Sequence, residues 1–331
     1  MYDDVTTIAV HGVPNVYVSG VIDSGSHARL QALMGSGKVP GGSNIYLNSP
    51  GGDLAAGIAL GRLFRKGEMV VEIGRPFVHG QKEDPFLPAE ICVSACAYAY
   101  FGGLYRFAPR GDRQFGIHQF YMSDTHVGDV GAIQQVSAQV VSYLEEMEVN
   151  PNVFSVASFA ARDEVVWLTG AQMLQAGLAN NGKLKLTAIY KLIQGTPYLV
   201  LDQQTYDGEH KITFTCGGSV VELTSYYIVG SERAKEIVSR GTRGYFEVDR
   251  QPELAEEQDA ATAVNLSVVA DRVVPLSFLG NIRGSASIGS WLNDLNGTHR
   301  YGFTIELDPV RGNVSDYYKN CVTMAPPSPP R

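Results

Sequence analysis

A serine stands between two cysteines in Cys92-Val93-Ser94-Ala95-Cys96, and a histidine follows 24 residues after it in Gly116-Ile117-His118-Gln119-Phe120. About 40 residues before the serine, the apolar stretch Ile45-Tyr46-Leu47 ends in Asn48-Ser49-Pro50-Gly51-Gly52-Asp53. A serine hydroxyl is a poor nucleophile until a base within hydrogen-bond reach takes its proton, and the base works best when a third group fixes its tautomer. Ser94 and His118 are the candidate nucleophile and base. The double glycine is a turn whose backbone N–H groups substrate can approach, because no side chain intervenes. Gly52 N–H and Ala95 N–H are the candidate oxyanion donors, at about 3–4 kcal/mol each in the transition state. Gly51 is the candidate to line the bound substrate. These are the parts of a covalent hydrolase.

The third member is sought at Asp163, between a helix ending near Ala161 and the apolar run from Trp167, with Glu164 as its alternative. Plainer roles compete: Ser94 as a helix cap, His118 as a structural histidine, Asp163 as a solvated charge. Cys92 or Cys96 is an alternative nucleophile, since thiols are intrinsically more reactive, and His126 is an alternative base. The two cysteines, one turn apart, can face each other as small buried thiols or pair elsewhere. No His/Cys/Asp spacing matches the common zinc arrangements, so neither a metal nor another cofactor is expected.

The elements that must position these residues read as follows. Strands are expected over 16–22, 44–47 and 69–73, with helices between them capped by Asp23 or Ser24 and by Asp53; this alternation is the βαβ pattern of an α/β core. A polar, proline-punctuated loop covers 76–90. A buried helix begins at Ser94, short strands lie at 105–107 and 115–118, and Ile133, Val136, Val140, Val141 and Leu144 recur at helical spacing over 130–147. Further helices are expected over 153–161 and 171–176. After about residue 194 the composition turns to Val, Ile, Thr, Phe and Tyr with polar alternation, and only 232–239 reads as helix. The expected organisation is a catalytic domain over 1–194, a mostly β accessory domain over 195–325 and a disordered Pro-rich tail over 326–331.

The 331-residue chain carries a formal charge of −8, and its densest basic group is Arg62, Arg65 and Lys66, so no nucleic-acid footprint is present. No run approaches the roughly 18 apolar residues of a membrane span. The start Met1-Tyr2-Asp3-Asp4 lacks the basic and apolar regions of a signal peptide, which favours cytoplasm if it is the native start. Four cysteines leave a disulfide or two open, and a Cys216–Cys321 link would close a loop of just over 100 residues.

On these motifs the first 190 residues resemble the proteolytic subunit of the Clp protease, within the ClpP/crotonase superfamily, and are most similar to predicted periplasmic ClpP-like proteins. Asn48-Ser49-Pro50-Gly51-Gly52 matches the family's glycine motif, Ser94 its nucleophile and Ile117-His118-Gln119 its base. The family's acid falls on Asp163 in Arg162-Asp163, before Trp167-Leu168-Thr169 and Gly177-Leu178. The spacing from Asp163 to Trp167 is two residues shorter than in the protease. The context before the serine, Ile91-Cys92-Val93, also differs, and nothing after 195 has a counterpart. The resemblance implies a spiral of repeated ββα units with helices outside, a serine peptidase acting on peptide or protein substrate, and a homo-oligomer using the 130–147 helix. It also favours the periplasm, with cytoplasm as the alternative. A non-catalytic binding or scaffold protein, and less closely a crotonase-type thioester enzyme, are the other functional readings.

Overall fold

Alternate residues of the stretch before the double glycine, Ile45 and Leu47, are fully buried at the centre of a sheet. The computed structural model describes residues 2–4, 13–75, 89–119, 130–159, 164–193, 195–253, 257–258 and 260–324. The loop residues 76–88, His126, Asp163 and the Pro-rich tail lie outside the described residues. The chain forms two units of mixed α/β structure, Met1–Gly182 and Lys183–Arg331.

In chain order the first unit runs β1 (Tyr2–Asp4), β2 (Asn15–Ser19), α1 (Ser26–Gly35), β3 (Asn44–Asn48), α2 (Leu54–Lys66), β4 (Val70–Ile73) and β5 (Cys92–Val93). It continues with α3 (Ala95–Phe101), β6 (Tyr105–Arg106), β7 (Phe115–Ile117), α4 (Val130–Glu146), α5 (Asn152–Phe159), β8 (Val166–Leu168) and α6 (Gly170–Gln175). One sheet has the order β1-β2-β3-β4-β6, parallel from β2 to β6 with β1 antiparallel at its edge. A second has the order β5-β7-β8, with β5 parallel and β8 antiparallel to β7.

The Asp53 carboxylate caps α2 as expected, accepting from Ala56 N–H at 2.8 Å. Ala56, Gly57, Leu60, Gly61 and Phe64 then recur at helical spacing and are buried. Every residue of α3 is buried. Val140, Tyr143 and Leu144 of α4 are fully buried, and the Tyr143 hydroxyl donates to the Tyr98 carbonyl of α3 at 2.6 Å, whereas Ile133 is exposed. The expected cap of α1 is corrected: its N-cap is Gly25, and Asp23 instead accepts from Gly25 N–H, Ser26 and Arg29.

The division between units falls after Gly182, ahead of the boundary at 194 expected from composition. β9 (Thr187–Ile193) forms a hairpin with β10 (Thr196–Thr205), so that boundary would have cut a paired ladder. The second unit continues with β11 (Gly208–Gly217), β12 (Val220–Ile228), α7 (Ser231–Ser239), β13 (Thr242–Val248), β14 (Gln251–Pro252), β15 (Glu257–Gln258), β16 (Ala261–Val264) and β17 (Ser267–Pro275). It ends with α8 (Leu276–Ile282), β18 (Ser287–Asp294), β19 (Arg300–Glu306) and α9 (Arg311–Met324). Its antiparallel sheets run β16-β17-β12-β11-β10-β9 and β14-β13-β18-β19, with β15 on β13. Two helices there go beyond the single one expected. α8 begins at Leu276, where an apolar run reads as continued strand. α9 is anchored by tertiary contacts rather than by helix formers: Tyr317 and Cys321 are fully buried, and Cys321 is disulfide-bonded to Cys216.

Candidate active site

The chain leaves β5 at Val93 and enters α3 at Ala95, so Ser94 is the whole turn between a strand and a helix. Its backbone has φ +59° and ψ −123°, a combination that L residues adopt only when the surrounding structure over-determines it. Several bonds do so. Ser94 N–H donates to Gly116 O at 3.2 Å, Cys92 N–H to Gln114 O at 2.7 Å, and Val93 N–H to Ser49 O at 3.1 Å. On the helix side, Ala97 N–H donates to Ser94 O at 2.9 Å. The Ser94 side chain makes no capping hydrogen bond. The plain role of helix cap is therefore not the one it plays, and its half-buried hydroxyl is left for other chemistry.

The double glycine meets this turn from β3. Gly51 has φ +98°, and a Cβ there would lie 2.6 Å from the Val93 carbonyl oxygen, 2.7 Å from Ser94 Cβ and 3.1 Å from Ala95 N. Only a residue without a side chain permits that approach. Gly52, at φ +140°, is hemmed in by the Ile22 carbonyl. The Gly51 N–H goes to Ser49 Oγ at 3.0 Å and its carbonyl accepts from Ile22 N–H at 2.8 Å. The Gly51 N–H is thus already paired, and what the structure shows of this residue is its close approach to Ser94. Gly52 is exposed, and neither Gly52 N–H nor Ala95 N–H donates to a described residue. Among the described residues both are therefore unpaired donors, Ala95 N–H next to Ser94 in the chain and Gly52 N–H on the residue after Gly51.

His118 follows the last residue of β7. The register of the two strands, Cys92 with Phe115 and Val93 with Gly116, brings the segments leading to Ser94 and His118 alongside each other. His118 is half-buried, and its Nδ1 lies 2.7 Å from the Gln119 carbonyl oxygen. A carbonyl only accepts, so in that bond Nδ1 carries the proton and Nε2 of the neutral ring is the free base. No hydrogen bond joins Ser94 Oγ to His118. On the other side of β7, Ile117 pairs with Val166 of β8, so the chain after Asp163 enters beside the same strand. Glu164, the alternative acid, is exposed.

Three contributors carried no role in the sequence reading. Asn48 Oδ1 accepts from Ile91 N–H at 3.2 Å, and Ser49 N–H donates to Ile91 O at 2.7 Å, which ties the glycine motif to the strand before the serine. Their place in the same hexapeptide as Gly51 and Gly52 was the available signal. The Gln119 carbonyl left none, because every residue type supplies one. Cys92 and Cys96 are disulfide-bonded to each other. This corrects their reading as buried thiols and removes either as the nucleophile, since no free thiol remains.

No family model and no curated protein matches the chain. Among solved structures it is similar to a point mutant of the 1510-N membrane-bound stomatin-specific protease, at 17% identity over 50% of this chain and 76% of that one, TM-score 0.32. It is also similar to ClpP1 from Listeria monocytogenes, at 16% identity over 50% and 88%, TM-score 0.37. A point mutant of that ClpP1 gives 16% over 53% and 94%, again with TM-score 0.37. Likeness at these scores assigns neither fold nor chemistry to this chain.

Proposed function

We propose that the chain is a ClpP-like serine peptidase in which Ser94 is the nucleophile, His118 the proton carrier, Asp163 the group that orients His118, and Gly52 N–H with Ala95 N–H the oxyanion donors. One observation carries this reading: Ser94 sits alone at φ +59° on a strand-to-helix turn, its hydroxyl unused as a cap, with the Gly51 backbone packed against its Cβ. Ser94 Oγ attacks the peptide carbonyl while its proton passes to His118 Nε2, and the oxyanion is held by the two N–H groups. Collapse breaks the C–N bond as His118 returns the proton to the leaving amine. Water, deprotonated by His118, then attacks the acyl-enzyme and restores the Ser94 hydroxyl. The Ser94–His118 hydrogen bond forms when substrate binds, because such contacts are commonly long in unliganded sites. Substrate lies extended beside Gly51-Gly52, adding strand-like hydrogen bonds.

The sequence motifs support a ClpP/crotonase spiral in the first unit, with the second as an appended, mostly β accessory domain. Exposed Gly52 and half-buried His118 favour catalysis over a binding scaffold. Two disulfides support a periplasmic location, since such bonds persist in oxidising compartments. The exposed start of α4, with Ile133 outward, is the surface through which a homo-oligomer forms.

Turnover of a fluorogenic peptide library tests the reading. Ser94→Ala and His118→Ala fall to a similar floor because the pair acts as a unit; a Ser94→Ala variant as active as the parent overturns it. The His118 Nδ1–Gln119 contact favours a second reading, a Ser–His dyad oriented by a backbone carbonyl. Asp163→Asn separates the two: a loss of about 10⁴ in kcat marks a triad, and near-parental turnover marks the dyad.

A further inference from the structure

The Cys92–Cys96 disulfide spans the one turn on which the proposed chemistry depends. Cys92 is in β5 and Cys96 in α3, with four residues of separation and Ser94 midway between them. Both sulfurs belong to fully buried residues. A bond over so short a loop adds little to global stability, because loop-closure entropy grows with loop length and this loop is minimal. Its effect is local: it fixes the distance between the strand end and the first helical turn. Between those points sits Ser94 at φ +59°, which relaxes out of that region unless its neighbours prevent it. The strand side is held by Cys92 N–H on Gln114 O and by Val93 N–H on Ser49 O; the helix side is held to Ser94 by Ala97 N–H. The disulfide is a second covalent link between the two sides, beside the backbone itself.

We infer that Cys92 and Cys96 are positioning residues whose disulfide holds Ser94 in its reactive backbone conformation, so that the nucleophile is competent in the oxidised protein and impaired in the reduced one. This rests on Ser94 being the nucleophile, and it adds a redox condition on that site. With both cysteines buried, reduction requires local opening of the turn, so the tie acts as a fixture of an oxidising environment rather than as a fast switch.

The test compares the parent with Cys92→Ala/Cys96→Ala and with Cys92→Val/Cys96→Val, which refills the volume of the sulfurs. Each is measured for the rate of fluorophosphonate labelling at Ser94, for kcat and KM separately, and for amide hydrogen exchange at Ala97. The inference predicts labelling and kcat lower by roughly 10- to 100-fold in both variants at temperatures where they are folded, the cost of freeing a residue from a sparsely populated backbone region. KM stays near the parental value and Ala97 N–H loses protection. Parental labelling and protection in either folded variant overturns it. Should neither variant fold, the parent is reduced under native conditions with a phosphine and the reduced fraction trapped by alkylation, in a Cys216→Ala/Cys321→Ala background. Equal labelling of reduced and oxidised fractions then overturns it. If the oxidised parent is itself unlabelled, the reading of Ser94 fails, and Ala97 protection alone decides whether the disulfide holds the turn.

Discussion

At the scale of single residues, the site is built by exclusion of side chains as much as by their presence. Gly51 approaches Val93 O and Ser94 Cβ so closely that a methyl group would sit 2.6–2.7 Å from each. Gly51→Ala therefore forces the β3 end away from the serine turn, and its φ of +98° adds about 1–3 kcal/mol of backbone strain. Reduced thermal stability together with loss of labelling at Ser94 is the expected outcome; labelling at the parental rate would show that the glycine turn does not set the serine's surroundings. The turns that hold Gly51-Gly52 and Ser94 were legible in the sequence, the first from the Asp53 cap and the second from the apolar run that follows Ser94. The fate of Gly51's N–H was not, since it depends on where the Ser49 hydroxyl points. The pairing of Cys92 with Cys96 was also hidden, because the same spacing suits two buried thiols.

At the scale of elements, the β10–β11 hairpin carries a buried titratable group. His210 is stacked on Phe303 with ring centroids 4.4 Å apart, and its Nε2 lies 3.4 Å from Thr205 Oγ1 and 3.8 Å from Asp207. Burial is the main cause that lowers its pKa from the usual 6.5 to about 4; Asp207 opposes the shift and Lys183 adds to it. Between those values the unfolded chain binds a proton that the folded chain does not. Stability is therefore intact above pH 6.5 and falls as pH drops toward 4, by on the order of 3 kcal/mol. In His210→Phe, which keeps a ring against Phe303 with nothing to titrate, the decline in melting temperature over that range is expected to flatten; an unchanged decline would assign it to other groups. In the first unit α2 was readable from its Asp53 cap and its 3.6-residue periodicity. α8 and α9 were not: their sequences mix strand formers and turn residues, and burial of Phe278, Leu279, Val314 and Tyr317 overrides local preference.

At the scale of the molecule, each unit owns a disulfide, and the two bonds act differently. Cys216–Cys321 closes a loop of 105 residues and ties α9 to β11 beside Tyr317, whose hydroxyl accepts from Cys216 N–H and lies within hydrogen-bonding distance of the Phe214 carbonyl. A loop of that length restricts the unfolded chain by about 4–5 kcal/mol. Cys216→Ala/Cys321→Ala is expected to lower the protection of the slowest-exchanging amides in β11 and β18 by that order, and unchanged protection would contradict the assignment. The boundary between units was hidden from composition because β9 precedes the change in residue usage, and strand pairing rather than composition decides where it belongs.

The proposed chemistry depends on Ser94 being a competent nucleophile. Incubating the folded, oxidised chain with a fluorophosphonate, followed by intact mass and peptide mapping, tests it most directly. One adduct on Ser94, absent from Ser94→Ala and strongly slowed in His118→Ala, is the predicted result. A folded protein that takes up no adduct, or takes it up at another residue, would rule out Ser94 as the nucleophile.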